Sequence, residues 1–484
     1  MKIFFLMLLL SIYIFANAQT IHLEDWNKYY LEYKIVSSKT LPKYVALQPY
    51  EFRFNISKNI KWESFIQKRI ILLYGEPNTI NIAMPFQGKI RTDSNRESWL
   101  WSLGLCCRNE SVQLYNSTTV NEDYKYDPYF AGDLSVSSYW LFGRVNNAYF
   151  NYNSDNFSFF IGRMERNWGT LGDKSLILSN NPYTYDHLYI NYKNKRFNLG
   201  LIFSQLDEGL FSDYKGNSIY AKRYLVGHRL DFMISQSFQL GFTEMAVYGG
   251  KNRGVDFLFF NPLTFYYPVQ RNDRRQMNGL WSMDFFYKPI SGLLLNGQFL
   301  IDDIIVNNTP GVNDRDLYPD RLGLQIYLKS ADNFINGLET SLGYVRIWNR
   351  TYQSKYSWEN FQYRGLGMGY PCASCEELKV KLAYWNLFPL WFQNEMIIGQ
   401  YGNVSLSDVF PQNKEEFPVK PVIYNFVNNT KMRFFLNPSL SFFLNVLYFS
   451  DNRHYLNRYG YDEKLVFIIG GEYCFSGGFK LPKL

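Results

Sequence analysis

Residues Trp281 to Asp302 read WSMDFFYKPISGLLLNGQFLID. Trp281, Met283, Phe285 and Tyr287 share one face of an extended chain, and Ser282 and Asp284 the other, because successive side chains of a strand point to opposite sides. Past Pro289 the alternation resumes: Leu293, Leu295, Phe299 and Ile301 face one way, Asn296, Gln298 and Asp302 the other. Two strands of about ten residues, joined by a short turn and apolar on one side only, form the repeating unit of a transmembrane β-barrel.

The unit recurs in both directions. Leu188, Ile190 and Tyr192 alternate before the Lys193-Asn194-Lys195 turn, and Phe197, Leu199, Leu201 and Phe203 after it; Trp99, Trp101, Leu103 and Leu105 alternate further upstream. Phe434 to Ser450 is uncharged, but Asn437-Pro438 and Asn445 interrupt it, which suits two strands and a turn better than a membrane helix. The one stretch with helical character is Ile60 to Tyr74, ahead of the barrel. A soluble sandwich would have shorter strands and, over this length, repeated domains, and no internal repeat is visible. Aromatics cluster near strand ends, as at Phe265, Tyr266 and Tyr267, where a barrel places its interfacial girdle. Open sheet edges are not tolerated in lipid, so the sheet must close. The expected fold is all-β: a single-chain transmembrane antiparallel β-barrel with a short N-terminal periplasmic segment.

The ends fit an exported chain. Met1 to Thr20 reads MKIFFLMLLLSIYIFANAQT, with Lys2, an apolar stretch and Ala16-Asn17-Ala18 in the order of a secretory signal. The domain reading is a signal peptide over 1–18, an N-terminal periplasmic segment over 19–78, the barrel over 79–475 and a tail over 476–484. Near the C-terminus, Gly470, Tyr473 and Phe475 have the spacing of the terminal-strand signal used in outer-membrane assembly. Barrel-assembly machinery and outer-membrane lipids are therefore expected partners. Bacterial barrels keep short turns inside and long loops outside. That rule makes 154–156, 193–195, 288–291 and 437–438 periplasmic, and 166–185, 204–221, 249–278 and 307–320 external. Strand polarity counted forwards and backwards conflicts between Asn349 and Lys420, so one strand there is miscounted.

Aromatic and charged residues each make up 19% of the chain, which excludes disorder because so much apolar surface can be buried. A net charge of +7, spread along the sequence, does not call for nucleic acid. With 4 His and no clustered Cys/His tract, no metal or other cofactor is expected. Five cysteines remain to be placed: Cys106, Cys107, Cys372, Cys375 and Cys474. Cys372 and Cys375 read as a loop-stapling disulfide or an incidental pair, since C-x-x-C redox chemistry needs a helix start in an α/β domain. His228 and Arg229 open a strand on which Arg229 and Asp231 share a face as lumenal packing partners. Glu244 marks a change of parity, from Leu240 and Phe242 to Met245 and Val247, as at a bulge or strand end. No nucleophile–base order, phosphate loop or carboxylate pair indicates an enzyme.

Four segments together resemble the capsule assembly protein Wzi family, particularly its Bacteroidetes-type members. They are IGRMERNWGTLGDKSLILSNNP (Ile161 to Pro182), GHRLDF (Gly227 to Phe232) followed by GFTEMAVYGG (Gly241 to Gly250), FFNPLTFYYPVQRN (Phe259 to Asn272) and GQFLIDDI (Gly297 to Ile304). The resemblance spans roughly Tyr149 to Ile304 and implies a barrel of about eighteen strands in the cell outer membrane. It also implies a lectin-like, non-enzymatic role in binding or organising capsular polysaccharide. The alternative is an outer-membrane porin or solute channel, if the lumen is open. The chain has little room for the periplasmic helical bundle of enterobacterial members.

Candidate glycan contacts follow from side-chain chemistry on the external loops. Trp168 can stack on a sugar ring, Arg163, Arg271, Arg274 and Arg275 can fork onto uronic acids, and Glu165, Asn272, Asp302 and Asp303 can bind hydroxyls. Each has a plainer alternative. Arg163 shares parity with Phe157, Phe159 and Ile161 and can snorkel from a lipid-facing position. The basic knot at Arg271 to Arg275 can be a solvated loop. The Gly-Arg and Trp-Gly stretch can brace the loops over the mouth.

Overall fold

The computed structural model describes residues 19–20, 25–48, 51–52, 61–92, 96–130, 143–272, 275–304, 320–411, 415–457 and 463–480. The expected signal peptide, 1–18, and the last four residues of the expected tail, 481–484, lie outside them.

Eighteen antiparallel strands among the described residues close into one barrel. They are β1 (Thr79–Arg91), β2 (Arg96–Arg108), β3 (Val112–Asn121), β4 (Gly143–Asn153), β5 (Phe157–Met164), β6 (Tyr185–Lys193), β7 (Phe197–Gln205), β8 (Ser218–Met233) and β9 (Phe238–Gly250). There follow β10 (Asn278–Ile290), β11 (Leu293–Asp303), β12 (Arg321–Ala331), β13 (Leu338–Ile347), β14 (Cys375–Tyr384), β15 (Leu390–Tyr401), β16 (Ile423–Asn437), β17 (Leu440–Phe449) and β18 (Leu465–Lys480). Pairing of β18 with β1, from Ile468 opposite Arg91 to Lys480 opposite Thr79, closes the sheet and leaves no edge. The last strand runs past Phe475 to Lys480. Two strands, β14 and β15, lie between Asn349 and Lys420, which removes the conflict in polarity.

The alternation in Trp281–Asp302 maps onto the wall as its period requires. Trp281 and Met283 project outward with more than 40% of their surface exposed, while Asp284, Asn296, Gln298 and Asp302 are buried inside. The outer face is a band of Phe86, Trp101, Leu105, Ile161, Phe242, Leu342, Ile398 and similar side chains. A closed sheet with that apolar exterior is a transmembrane barrel. One end carries short turns and the other nearly all the long connections.

At Glu244 the structure departs from the sequence reading. β8 and β9 pair without a break from Lys222–Gly250 to Met233–Gln239, with His228 opposite Glu244. There is no change of parity: Glu244 points outward and Met245 and Val247 inward. His228 and Arg229 lie mid-strand, Arg229 inside and His228 outside. The loop 251–277 folds back over this outer wall, so a carboxylate there is not left in hydrocarbon. Glu244 accepts from the backbone N–H groups of Tyr266 (3.0 Å) and Tyr267 (3.2 Å) and from Trp281 Nε1 (2.6 Å), and lies 3.2 Å from His228 Nε2. Tyr224, Val226, Ala246, Tyr248, Phe259 and Tyr266 form an apolar cluster around it.

The lumen is filled rather than open where the described segments enter it. Helix α1 (Asp25–Ser37) stands inside the barrel: Lys28 pairs with Glu165, Tyr33 donates to Asp332 (2.8 Å), and Glu32 lies 3.4 Å from Lys381. Helix α2 (Lys61–Tyr74) packs Trp62 and Phe65 against Trp385, Phe388 and Phe435, and Arg69 pairs with Glu472. From the other end, the connections 165–184 and 348–374 turn inward and meet. Tyr352 Oη donates to Leu176 O (2.8 Å), and Ser179 Oγ to Gly369 O (2.6 Å). Gly169, at φ 87°, touches the lumenal wall so closely that a Cβ would come within 2.5 Å of Gln298 Nε2. Only glycine combines that φ with that approach.

Candidate functional site at the long-loop mouth

Most lumenal cations have carboxylate partners. Arg229 is held by Asp231 (2.6 Å) and Asp284 (2.7 Å), Lys329 by Asp173 (2.7 Å), and Lys379 by Glu377 (3.0 Å). Arg321 lies between Asp302 (3.3 Å) and Asp303 (3.0 Å), and Arg350 is gripped by Glu415 (2.6 Å). Burying a charge is costly without a paired, hydrogen-bonded partner, and these pairs supply one.

A strip along β4 and β6, leading up to the tip of the connection 348–374, does not follow that rule. At its top, Arg144 stacks over the Tyr183 ring (3.7 Å to the centroid) and donates through Nη2 to Thr184 Oγ1 (3.1 Å). Its neighbours include Tyr124, Tyr363 and a second cation, Arg364. Arg364 stands exposed at the loop tip with φ 52°, followed by Gly365 at φ 78°. A non-glycine residue in that region costs roughly 1–2 kcal/mol, and here it turns the guanidinium out of the loop. Tyr129, 40% exposed, lies against the tip, within 3.1 Å of where a Gly365 Cβ would stand.

Below, Tyr363 and Tyr185 rings are 5.9 Å apart, and Tyr185 and His187 rings 5.2 Å. Arg166 Nε donates to His187 Nε2 (2.7 Å), which places the imidazole hydrogen on Nδ1, 3.0 Å from Tyr185 O. The Arg166 guanidinium lies between the rings of Tyr189 (4.0 Å) and Phe160 (4.8 Å), and burial pushes its pKa down to about 10. Among the described residues, none of Arg144, Arg166 and Arg364 has a carboxylate within ion-pair distance. The buried Tyr185 Oη, Tyr149 Oη and Trp168 Nε1 have no hydrogen-bond partner. Guanidinium groups and aromatic faces thus concentrate in one strip, with Arg364 and Tyr129 exposed at its mouth. The carboxylate beside it, the buried Asp127, accepts from Tyr183 Oη and from Tyr129 N (2.9 Å).

The residues picked from sequence are not brought to one surface. Arg163 lies on the outer face and pairs with Asp186, while Glu165 pairs with Lys28 of α1. Trp168 is fully buried in the lumen, its backbone paired with Leu47 and Leu178. Helix α3 (Tyr266–Asn272) carries Arg271 and Asn272 on the outside of the wall. Asn272 is exposed there, and Arg275 lies 3.6 Å from Asp256. Arg274 and the Arg271 side chain fall outside the described residues. Asp302 is buried against Arg321 and accepts from Tyr352 N (2.8 Å), and Asp303 shares Arg321. Sequence reasoning missed Arg144, Tyr363 and Arg364, which carry no local signal. Arg166 and Tyr183 lay in or beside a quoted segment but read as ordinary loop residues.

Cys372 and Cys375 are joined to each other at the base of the connection 348–374, with Cα atoms 6.3 Å apart. With Glu377 they form the one grouping of metal-type donors among the described residues, but the carboxylate is already bound to Lys379 and Tyr370.

Residues 115–304 match the family described as capsule assembly protein Wzi, which takes in the four segments whose resemblance pointed there. No curated protein matches the chain in sequence. Among solved structures, the chain is similar to Escherichia coli Wzi, described as an outer membrane protein involved in group 1 capsule assembly and a carbohydrate binding β-barrel. The match has 13% identity, covers 95% of this chain and 100% of that one, and has a TM-score of 0.62. OccK3 of Pseudomonas aeruginosa matches at 10% identity over 86% of this chain and 100% of its own, with a TM-score of 0.47.

Proposed function

We propose that this chain is an outer-membrane barrel that binds or organises capsular polysaccharide at the cell surface, as a lectin and not an enzyme. The observation that carries the reading is the combination of a filled lumen with an aromatic, cationic and unpaired mouth. A porin needs a polar water-filled path. Here α1 and α2 enter from one end and the connections 165–184 and 348–374 from the other, which favours binding over conduction. The Wzi family match and the E. coli Wzi barrel point the same way. The short-turn end, with the segment 19–78, faces the periplasm, and the long-loop mouth faces outward. Tyr and Arg side chains there suit sugar rings and their substituents.

Deleting the gene and measuring cell-bound against released polysaccharide tests this. The expected result is release into the medium, restored by the parent gene. Unchanged retention, together with steady single-channel conductance of the purified protein in planar bilayers, would favour the channel.

A further inference from the structure

We infer that the lipid-facing wall of β15 and β16 is a docking surface for a second copy of this chain, keyed by a polar cluster of Asn394, Asn428 and Thr430. The inference goes beyond the glycan reading and does not depend on it. Strand register places all three side chains outside: Asn394 stands opposite Leu382 and Thr430, and Asn428 opposite Met396 and Tyr448. On the same face, Ile398, Phe434, Phe442 and Tyr448 are exposed apolar side chains of the lipid band. One residue away in sequence, Gln393, Val427 and Asn429 are buried inside. Thr430 is the central residue of the 15 in β16, so the cluster lies within the span of the wall and not at its rim.

Hydrocarbon offers polar side chains no hydrogen bonds, so they must find partners in protein. Within the cluster, Asn394 Nδ2 donates to Asn428 Oδ1 (2.8 Å) and to Thr430 Oγ1 (2.7 Å), and Thr430 Oγ1 donates to Asn428 Oδ1 (3.2 Å). That leaves one acceptor, Asn394 Oδ1, and one donor group, Asn428 Nδ2, with no partner among the described residues. The two are complementary. In a copy related by a two-fold axis along the membrane normal, the same pair stands in reverse order. Asn428 Nδ2 then donates to Asn394 of the partner subunit and the partner's Asn428 donates back, as an isologous interface requires. Turning both amides over exchanges the roles and keeps the complementarity. Met396 and Met432, beside the amides on the same face, are flexible enough to fit a facing wall.

Elsewhere on the outer wall the chain covers a polar group itself: the loop 251–277 lies over Glu244 and donates two backbone N–H groups to it. The β15–β16 cluster has no hydrogen bond to any described loop, and the side chains around it are exposed. A lipid tail carries neither donor nor acceptor, whereas a second barrel brings both, set in the same apolar surround. Asn116 on β3 also faces outward and is exposed, but its one hydrogen bond, from Thr118, is 3.4 Å long, and its cross-strand neighbours Leu105 and Ala148 bring no second amide. Pairing about the membrane normal keeps both long-loop mouths on the same side of the membrane.

In cells producing the full-length protein, a photo-cross-linking phenylalanine analogue takes the place of Met396, of Met432 or, on the far side of the barrel, of Ile161. Illumination of intact outer membranes is expected to give an adduct of twice the chain mass at the first two positions and not at Ile161. Peptide mass spectrometry should find this chain on both sides of the link. Asn394→Leu and Asn428→Leu each remove both symmetric bonds, so each should cut the adduct about tenfold at low expression. Asn116→Leu should leave it unchanged. Leucine suits a lipid-facing position, so all three variants should insert and keep the folded band on unheated gels. Adducts with lipid alone, with a different protein, or equally from Ile161 would overturn pairing with a second copy. A parental yield in both Asn394→Leu and Asn428→Leu, or a loss as large in Asn116→Leu, would overturn the role of the cluster. None of these results bears on polysaccharide retention, which the deletion experiment decides separately.

Discussion

Two stretches of the barrel interior solve the same electrostatic problem in opposite ways. Along β8 to β12 most lumenal cations are matched: Arg229 with Asp231 and Asp284, Arg321 with Asp302 and Asp303, Lys329 with Asp173, whereas Lys288 donates to the carbonyls of Ile35 and Val36 in α1. Along β4 and β6 they are surrounded by tyrosines. In the matched region several ion pairs tie the wall to segments inside it: Asp173 belongs to the inturned connection, and Asp302 fixes the Tyr352 backbone. Matched charge there holds the filling in place. The arginines at the mouth make no such ion pair; they pack on tyrosine rings, and the nearby Asp127 is held by Tyr183 Oη and Tyr129 N. The difference separates side chains that tie the wall to the filling through ion pairs from those that pack on aromatic rings at the mouth.

The comparison breaks first at Asp284. Its carboxylate accepts from Arg229 Nη1 (2.7 Å) and Nη2 (2.8 Å), and both side chains are buried. Asp284→Ala removes one of two carboxylates from a buried guanidinium, and uncompensated buried charge costs about 3–5 kcal/mol. The temperature at which the folded band is lost on detergent gels should drop sharply. If Arg166→Met lowers it just as far, Arg166 is a packing residue like Arg229 and the contrast disappears. The expectation is a smaller loss, below about 2 kcal/mol: a desolvated cation–π contact goes, but no partner charge is stranded.

How much of this was legible beforehand follows from what sequence patterns encode. Strand alternation has a period of two and repeats in neighbouring residues, so Trp281 to Asp302 revealed both the wall and its inner face. Glu244 misled because its outward position is covered by a loop that returns more than twenty residues later. The apolar run through Phe257, Phe259, Phe260 and Leu263 in that loop was the available hint. The mouth strip was illegible for a stronger reason. Arg144 and Arg364 come within electrostatic reach only because the barrel closes and the connection 348–374 turns inward, and no local pattern reports such an approach. Trp168 looked like a sugar platform because an exposed Trp in a loop often is one, whereas this loop dives into the lumen and pairs with Leu47.

A pH experiment sharpens the contrast from the loop that carries Arg364. Arg223 anchors this loop through the carbonyls of Trp358 (2.8 Å), Asn360 (2.6 Å) and Gln362 (3.0 Å). Beside them Glu359 is buried, with Ser354, Lys355, Arg253 and Gln276 as neighbours, and burial raises its pKa from 4.5 to about 8. A carboxyl raised in the folded state favours the neutral form. Its contribution to stability is therefore fully present below pH 4.5 and is lost as pH rises towards 8. Amide exchange across 348–374 should accelerate between pH 6 and 9 relative to a matched-loop control, after correction for intrinsic exchange. Glu359→Gln should flatten that dependence. An unchanged pH dependence in the variant would place the sensitivity elsewhere.

The smallest effect is expected at Arg163, and its smallness is informative. The Gly162-Arg163 pair belongs to the most distinctive stretch of the sequence, and its guanidinium has the chemistry to grip an acidic sugar. The structure places it on the outer face, in line with Phe159 and Ile161, where it pairs with an Asp186 whose side chain is 63% exposed. The wall of β5 and β6 separates it from Arg166, only three residues away in sequence, because adjacent parities lead to opposite sides of a barrel. An exposed pair of this kind is worth about 0–1 kcal/mol. Arg163→Gln should leave the gel-shift temperature and retained polysaccharide near parental levels, whereas Arg364→Gln lowers retention without lowering the gel-shift temperature. A loss of retention in Arg163→Gln as large as that in Arg364→Gln would mean that the outer wall, and not the long-loop mouth, meets the glycan.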